Sequence, residues 1–347
     1  MKISEKLGAV SIPDINFITG EFAPPIYICQ RATTVPVIDG DLLKPFWEGV
    51  DSVTGFRDMV SCNEVFDNDK TAYVKLQWDN ENLYIGAHLA DKHIWAHVTE
   101  RDDAVCQDND FEFYLDGDGS SHNYFQLEVN ALGTIRDLFM TKPPRDGGTA
   151  IDGFCFRGIE AAVKIVGELN NPEAFNQHWN IEIKIPWKGV PRYGSATGPP
   201  KLGDYMRFNL SRAIWRTSVD IGKYVKEKDQ ATGQPFPPHY LTYAPTGVSS
   251  VHYPELWAFL VFSDRWCSFD VPIIEKIRWE LRKIYYSQRE FFSLHGRYAE
   301  GSTCNDASDS SYTIKTEITR GLFHTYCEHG GYKVNIIHDG YTWIEKV

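Results

Sequence analysis

The sequence predicts a mostly β protein, an antiparallel β-sandwich with a small C-terminal helix-plus-hairpin appendage. Short alternating segments separated by Asp, Asn, Gly and Pro clusters run from residue 27 to about residue 263, which is typical of antiparallel sheets. From residue 273 to 295 the apolar residues follow helical spacing instead. We therefore expect an N-terminal extension at 1–26, a sandwich at 27–264 and an α+β appendage at 265–347.

Two hairpins are the clearest strand pairs. Residues 72–78 and 83–89 flank a turn rich in Asp and Asn, and residues 110–116 and 124–130 flank a loop rich in Gly and Asp. Because side chains alternate along a strand, Glu112 and Tyr114 share one face of the second hairpin, and Glu128 and Asn130 share one face of its partner strand. Further strands are expected at 161–166, 179–185, 206–214 and 257–262.

The appendage should contain one amphipathic helix and a final hairpin. Apolar positions from Ile274 to Phe291 form one stripe, and Gly296 is a natural helix stop. Residues 332–337 and 341–347 flank an Asp-Gly turn. Residues 300–311 are polar and predict a loop. Two roles stay open for the appendage: a brace on the sandwich, or a surface for an oligomer or partner.

Composition excludes several classes of function. The 347-residue chain is 42% apolar and carries a formal charge of -12, so it can bury a large core but has no excess of basic residues for nucleic acid. It lacks an apolar run long enough to span a bilayer. Neither a glycine-rich nucleotide motif nor a Walker loop occurs, so no nucleotide cofactor is expected. The oligomeric state is left open.

The N-terminus and the cysteines bear on the compartment. Residues 1–20 lack the unbroken apolar core of a signal peptide, and the seven cysteines show no paired spacing. As given, the chain is expected in the cytoplasm. The alternative is a secreted or periplasmic protein whose signal peptide has been removed.

Four segments in order resemble family 9 carbohydrate-binding modules. They are the Ile-Asp-Gly turn and Trp within 36–47, the hairpin at 76–84, the Asp-Phe-Glu strand at 110–116 and the segment 179–187. Residues 122–131 are similar to a subgroup described as carbohydrate-binding-9-like. The resemblance covers about 27–263. It implies a β-sandwich that binds a sugar-chain end between two aromatic rings, with calcium ions holding loops.

The resemblance also implies site residues, and the sequence departs from the family's pattern at two of them. The family's first sandwiching Trp matches Cys106 here, whereas the second aromatic position matches Tyr243. The family's sugar-binding acid matches Glu112, but Glu128 stands where a basic residue is expected. The chain thus has a second carboxylate in place of a cation.

Glu112 and Glu128 are the first candidates for a functional site. A carboxylate pair on one face can hydrogen-bond neighbouring sugar hydroxyls, hydrolyse a glycosidic bond or bind a cation. The alternatives are that this face is simply exposed to solvent, or that Arg101, Arg136 or Arg145 neutralises a structural pair. Asn130 is a further ligand-binding candidate on the same strand. Aromatic rings for stacking on a sugar are expected from Trp95, Trp215 and Tyr243, each in or beside a predicted loop, although large aromatics more often fill cores.

A structural calcium ion is the one cofactor that the sequence suggests. Asp116 and Asp118 in the loop before the second hairpin strand offer oxygen ligands, although the loop is no EF-hand and an ordinary Asp-Gly turn explains it as well.

Two functions follow, with a saccharide as the expected partner in both. The first is carbohydrate binding by the concave face, in polysaccharide or oligosaccharide breakdown. The second is a glycoside hydrolase or lyase on the same scaffold, with Glu112 and Glu128 as the catalytic pair. A purely structural module is a third possibility. Whether the protein is an enzyme is therefore left open by the sequence.

Overall fold

The computed structural model describes residues 22–65, 67, 70–190, 198–300 and 313–347. Most of the predicted N-terminal extension and of the predicted loop at 300–311 lies outside these residues, as does part of the Gly- and Pro-rich loop at 194–203. The division of the chain into three parts stays a prediction.

Nineteen strands and one α-helix form the described part of the chain. The strands are β1 (Ile26–Arg31), β2 (Arg57–Asp58), β3 (Ala72–Trp78), β4 (Asn82–Ala90), β5 (Asp110–Asp116), β6 (Tyr124–Asn130), β7 (Ile135–Met140), β8 (Ala150–Ile151), β9 (Glu160–Val166), β10 (His178–Pro186), β11 (Tyr205–Ile214), β12 (Thr217–Asp220), β13 (Lys223–Lys226), β14 (His239–Thr242), β15 (Ala258–Ser263), β16 (Ile314–Ile318), β17 (Phe323–His329), β18 (Tyr332–Ile337) and β19 (Thr342–Lys346). The helix is α1 (Ile273–His295).

The predicted fold class is confirmed. One large sheet follows the strand order β8-β7-β6-β5-β11-β15-β1-β3-β4-β10-β9, with β14 and β2 attached beside β11. Apolar side chains from both halves of this path meet in one core, for example Phe113 and Leu127 with Ile85 and Ile183. The sheet therefore curls on itself and encloses its core as a sandwich does.

The two halves of the sheet are joined by parallel pairings that the sequence did not predict. Strand β1 runs parallel to β15 and also to β3. Its side chains Tyr27 and Cys29 are buried in the core. Because β1 is hydrogen-bonded on both sides, it joins the two halves into one continuous sheet. In a sandwich of two separate sheets, this position would instead have two free strand edges.

A buried carboxylate holds the segment before β2 against the outside of the sheet. Glu182 on β10 accepts hydrogen bonds from the backbone N–H groups of Asp39 (2.9 Å) and Gly40 (3.2 Å), from Lys44 Nζ (2.7 Å) and from Trp47 Nε1 (2.9 Å). The Ile-Asp-Gly turn and Trp47, which carry part of the family resemblance, therefore have a structural role, since both are held by Glu182.

Helix α1 lies between the large sheet and a four-stranded antiparallel sheet, β16 to β19. It begins after Pro272 and ends at Gly296, which has the left-handed conformation expected of a helix C-cap (φ 65°). Its residues Ile277, Leu281 and Tyr285 pack in a second core with Val334 of β18. The predicted helix and the final hairpin are thus present at the predicted positions. No helix among the described residues combines the length and apolar character needed to cross a membrane.

Candidate functional site

Strands β5 and β6 bring the two predicted carboxylates together. Glu112 and Glu128 stand directly opposite each other in the antiparallel register, a position in which Cβ atoms lie about 5 Å apart. The alternate residues Phe111 and Phe113 point into the sandwich core. The carboxylates therefore lie on the opposite side of the sheet from that core.

Neighbouring strands extend this polar surface. Ser211 on β11 stands opposite Glu112, and Thr242 on β14 stands opposite Ser211. Asp110 precedes Glu112 by two residues and shares its side of β5. We call the surface formed by Asp110, Glu112, Glu128, Ser211 and Thr242 the acidic face.

Both glutamates of the acidic face are buried, each with 2% of its surface exposed. Tyr114 donates its hydroxyl to Glu112 Oε2 (2.8 Å). Gln126 Nε2 donates to Glu128 Oε1 (2.7 Å), and the backbone N–H of Cys106 donates to Glu128 Oε2 (3.2 Å). These contacts fix the two side chains in place.

Burial and mutual repulsion favour the protonated form of these carboxyls. Burial, followed by the charge of Glu128, raises the pKa of Glu112 to about 8. Burial, then the charges of Glu112 and Glu128, raises the pKa of Asp110 well above its usual value. The pKa of Glu128 is raised by burial, although Arg136 opposes the shift. At neutral pH Glu112 is therefore mainly a neutral acid that can donate a hydrogen bond.

One of the three arginines considered as a neutralising partner reaches the pair. Arg136 Nη1 lies 3.5 Å from Glu128 Oε1, while its Nη2 lies 2.9 Å from the exposed Asp152. Arg101 pairs with Asp137 instead, and Arg145 pairs with Glu255. Glu128 is thus partly compensated, whereas Glu112 has no arginine among these contacts.

Two polar atoms of the acidic face, Asp110 Oδ2 and Thr242 Oγ1, have no hydrogen-bond partner among the described residues. Buried polar groups are nearly always paired with protein, water or a ligand. The acidic face therefore has unused hydrogen-bonding capacity next to its two glutamates.

Asn130, by contrast, uses its whole amide within the protein. Its Nδ2 donates to the Val98 carbonyl and to Asp108 Oδ2, and its Oδ1 accepts from the N–H groups of Leu132 and Thr134. An asparagine side chain makes about four hydrogen bonds at most. Asn130 therefore holds the loop around Val98 and Asp108 against β6 and has no capacity left for a ligand.

The three predicted platform aromatics lie in three different places. Trp95 is 4% exposed, so its ring is not available as a platform in this structure. Trp215 donates Nε1 to the carbonyl of Cys106 (2.9 Å) and carries Lys226 Nζ 3.3 Å from its ring centroid. It therefore lies close to the acidic face. The Tyr243 ring packs against Phe208 of the core instead, on the other side of the sheet.

Tyr240, which the sequence did not single out, is a further aromatic residue beside the acidic face. It stands opposite Ala213 in the β11–β14 register, two residues along from Thr242 on the same side. Burial raises its pKa, and the charges of Glu112 and Asp110 add to the shift. The signal was present in the alternation of residues 239–242, but the predicted strands did not include β14.

The loop proposed for calcium is stabilised by the protein itself. Asp116 Oδ1 accepts the N–H of Gly119 and Asp116 Oδ2 accepts the N–H of Ser121, both at 2.9 Å. Arg278 Nη2 donates to the Asp118 carbonyl (3.2 Å). In the part of the chain that the structure describes, no three His, Cys, Asp or Glu side chains converge to hold a metal ion. These contacts do not fit a cation at Asp116 and Asp118, and calcium stays a prediction.

Comparison with known proteins agrees with the expected resemblance. Residues 38–136 match the family model described as carbohydrate family 9 binding domain-like. Over this segment the chain is similar to family 9 carbohydrate-binding domains. The matched segment includes Glu112 and Glu128 and ends at Arg136. A search among curated proteins gives no match.

Three solved structures, of two carbohydrate-binding proteins, are similar to this chain. One is a putative carbohydrate-binding protein from Bacteroides uniformis, with 14% identity and a TM-score of 0.48 over 70% of this chain and 100% of that one. Two are structures of a family 9 module from Caldicellulosiruptor kristjanssonii. The complex with cellotriose has 16% identity and a TM-score of 0.41 over 72% and 98%, and the complex with glucose has 15% and 0.40 over 71% and 100%. Sequence identities this low do not allow the role of any residue in those proteins to be transferred to this chain.

Proposed function

We propose that this chain binds a saccharide on the acidic face, as a binding protein in polysaccharide or oligosaccharide breakdown. The observation that carries the proposal is the directly opposed pair Glu112 and Glu128, which lies within the segment that matches the carbohydrate-binding family. Fold similarity alone does not fix a function, whereas the chemistry of this face supports saccharide binding.

The acidic face has the hydrogen-bonding groups that a sugar requires. A sugar hydroxyl both donates and accepts hydrogen bonds. Protonated Glu112 and Asp110 can donate, while Glu128 and the Thr242 hydroxyl oxygen can accept. Tyr240 supplies a half-buried ring beside these groups, and the apolar face of a pyranose packs well on such a ring. A ligand would replace whatever water satisfies these groups in its absence.

A glycan panel titrated by calorimetry tests the proposal. We expect one or more oligosaccharides to bind with Kd between about 1 mM and 1 μM, which corresponds to about -4 to -8 kcal/mol. Glu128→Gln should weaken that binding at least tenfold, because Gln offers one acceptor oxygen and no charge. Glu317→Gln, a matched change on the exposed surface of β16, should bind as the wild type does. Absence of binding across the panel, or equal binding by both variants, would contradict the proposal.

The alternative function, a glycoside hydrolase, uses the same two carboxylates. The wild type and the Glu128→Gln variant also distinguish this function from binding alone. A raised pKa suits a general acid, and Glu112 has one. The partner carboxylate, however, also has a raised pKa, which makes it a weaker match for the ionised nucleophile or base. Release of reducing sugar by the wild type, abolished in Glu128→Gln with binding retained, would favour the enzyme.

A further inference from the structure

A cavity lies away from the acidic face, where the segment before β1 meets helix α1. Its volume is about 460 Å³, which is larger than a single sugar ring requires and lies within the usual range of small-molecule sites. Its walls are largely apolar rings, namely Phe22, Pro24, Pro25, Tyr243, Pro245 and Trp279. Tyr243, which the sequence assigned to sugar binding at the acidic face, lies here instead.

Two polar groups in the wall have no partner from another residue. Glu255 is 7% exposed and Trp279 is 5% exposed. Glu255 Oε2 and Trp279 Nε1 make no hydrogen bond to another described residue. The first is an acceptor and the second is a donor, and a hydroxyl can pair with either.

The charge around Glu255 favours a neutral ligand over a cation. Its other oxygen, Oε1, accepts from Arg145 Nη2 (2.7 Å) and from the Tyr286 hydroxyl (2.5 Å), and Arg282 Nε lies 3.8 Å away. Burial alone would raise the pKa of Glu255, but Arg145 and Arg282 outweigh burial and lower it to about 2. The carboxylate is thus ionised and already compensated by two guanidinium groups, so it needs a hydrogen-bond donor and no further positive charge.

The aromatic wall adds a preference for a ring-shaped ligand. Trp279 stacks on Phe22 with ring centroids 5.2 Å apart, and Tyr243 is held by Phe208 at 5.8 Å. Rings fixed in this way lose little entropy when a ligand packs on them. The rim carries Thr54 and Arg57, both exposed, so the cavity is open to solvent on that side.

We propose that this cavity is a second binding site, for a neutral, hydroxylated ring such as a monosaccharide. Apart from the rim residues Thr54, Gly55 and Arg57, it is formed by residues outside the segment that matches the carbohydrate-binding family, and it includes Trp279 of helix α1. The appendage therefore contributes directly to ligand binding. The unpaired donor Trp279 Nε1 and the unpaired acceptor Glu255 Oε2 favour a hydroxylated ligand, while the apolar walls supply most of the contact area.

Calorimetric titration with a monosaccharide panel tests this site apart from the acidic face. In Glu128→Gln, which weakens the acidic face, one monosaccharide site per chain should remain. Thr54→Trp places an indole at the rim without changing a buried residue, and it should lower this residual affinity at least tenfold. Ser52→Trp adds the same ring at an exposed position outside the cavity lining and should leave the affinity unchanged.

A second variant tests the donor itself. Trp279→Phe keeps an aromatic ring in the wall but removes Nε1, so it should weaken the residual site about tenfold, the order expected for one hydrogen bond in a buried site. Trp266→Phe, at a position 68% exposed, is the matched control. Loss of all binding in Glu128→Gln would overturn the second site alone. Binding of benzene without any monosaccharide would overturn the ligand class, and absence of binding in the wild type would overturn both sites.

Discussion

Glu112 lies in surroundings that favour its neutral form over its charged form. Its pKa is raised from 4.5 to about 8 by burial and by the neighbouring charge of Glu128. Between these two pH values the folded state binds more protons than the unfolded state, so this group lowers the stability of the fold as the pH rises from about 4.5 to about 8.

Glu112→Gln should therefore flatten the dependence of stability on pH. The variant keeps the size of the side chain but cannot ionise. The free energy of unfolding of the variant, relative to that of the wild type, should therefore increase as the pH rises from 5 to 8. Urea denaturation at several pH values measures this difference. Glu317→Gln should follow the wild-type slope. An unchanged slope in Glu112→Gln would show that Glu112 does not titrate in this range.

Gly40 is required at its position for two separable reasons. Its φ of 79° is a conformation that side chains rarely adopt, and an added Cβ would lie 2.8 Å from the backbone N of Lys164. Gly49 has a similar φ of 71° but open space around its Cβ position. The strain from the left-handed conformation costs about 1–2 kcal/mol at either glycine.

Gly40→Ala should thus destabilise the protein more than Gly49→Ala does. The difference between the two variants measures the close contact between the Ile-Asp-Gly turn and β9. Thermal denaturation of both variants checks this ordering. Equal losses would mean that the turn can move away from β9 without cost.

At the level of single residues, the sequence identified the acidic pair but not its surroundings. Period-two alternation predicts which side chains share a face of a strand, and this placed Glu112 and Glu128 correctly on one surface. It does not predict which strands become neighbours. Ser211, Thr242 and Tyr240 reach that surface only because β11 and β14 pair beside β5. Tyr243 lies one residue beyond Thr242 on the chain and so faces the other way.

Helix α1 buries charged residues as well as an apolar stripe. Glu275 is 1% exposed and contacts Arg278 Nη1 (2.9 Å), Arg207 Nη2 (3.2 Å) and the Tyr205 hydroxyl (3.2 Å). Its pKa is lowered because these arginines outweigh the effect of burial. A buried carboxylate between two guanidinium groups links the helix to strand β11 of the large sheet.

Glu275→Gln should weaken this link strongly. It leaves two buried guanidinium groups without their counter-charge, and breaking such a pair costs about 3–5 kcal/mol. Glu290→Gln, at an exposed position on the same helix, should change the free energy of unfolding by less than about 0.5 kcal/mol. Chemical denaturation measures both values. A small effect of Glu275→Gln would mean that water reaches these arginines.

Hydrophobic periodicity predicted the existence and the ends of this helix, because the apolar spacing and the Gly296 stop are local features. It could not predict that Glu275, Arg282 and Arg289 would be buried, since charged residues are normally assigned to the solvent side. They are buried because two sheets cover the helix from different sides, and each charge finds a partner on a distant segment. Local sequence patterns also could not predict the parallel pairing of β1, because its neighbours β3 and β15 are remote in sequence.

At the scale of the whole molecule, the appendage and the sandwich share buried contacts. Asp146 in the loop after β7 binds Tyr285 and Arg289 of the helix, and Ser121 binds Arg282. The backbone of Thr342 in β19 donates to the Ser120 carbonyl. These contacts join the helix and the final sheet to loops of the sandwich.

We therefore expect the chain to unfold in one cooperative transition. Circular dichroism of the helix and fluorescence of the buried tryptophans of the sandwich should give the same midpoint in urea. Glu275→Gln should shift both signals together. Two separate midpoints in the wild type would contradict this view and would support an independently folded appendage.

A crystal structure of the chain with the oligosaccharide that binds most tightly in the glycan panel tests the central claim most directly. We expect sugar hydroxyls within hydrogen-bond distance of Glu112 or Glu128, with a sugar ring next to Tyr240. A saccharide that occupies only the cavity beside Tyr243 and Trp279, or any position without contact to either glutamate, would contradict it.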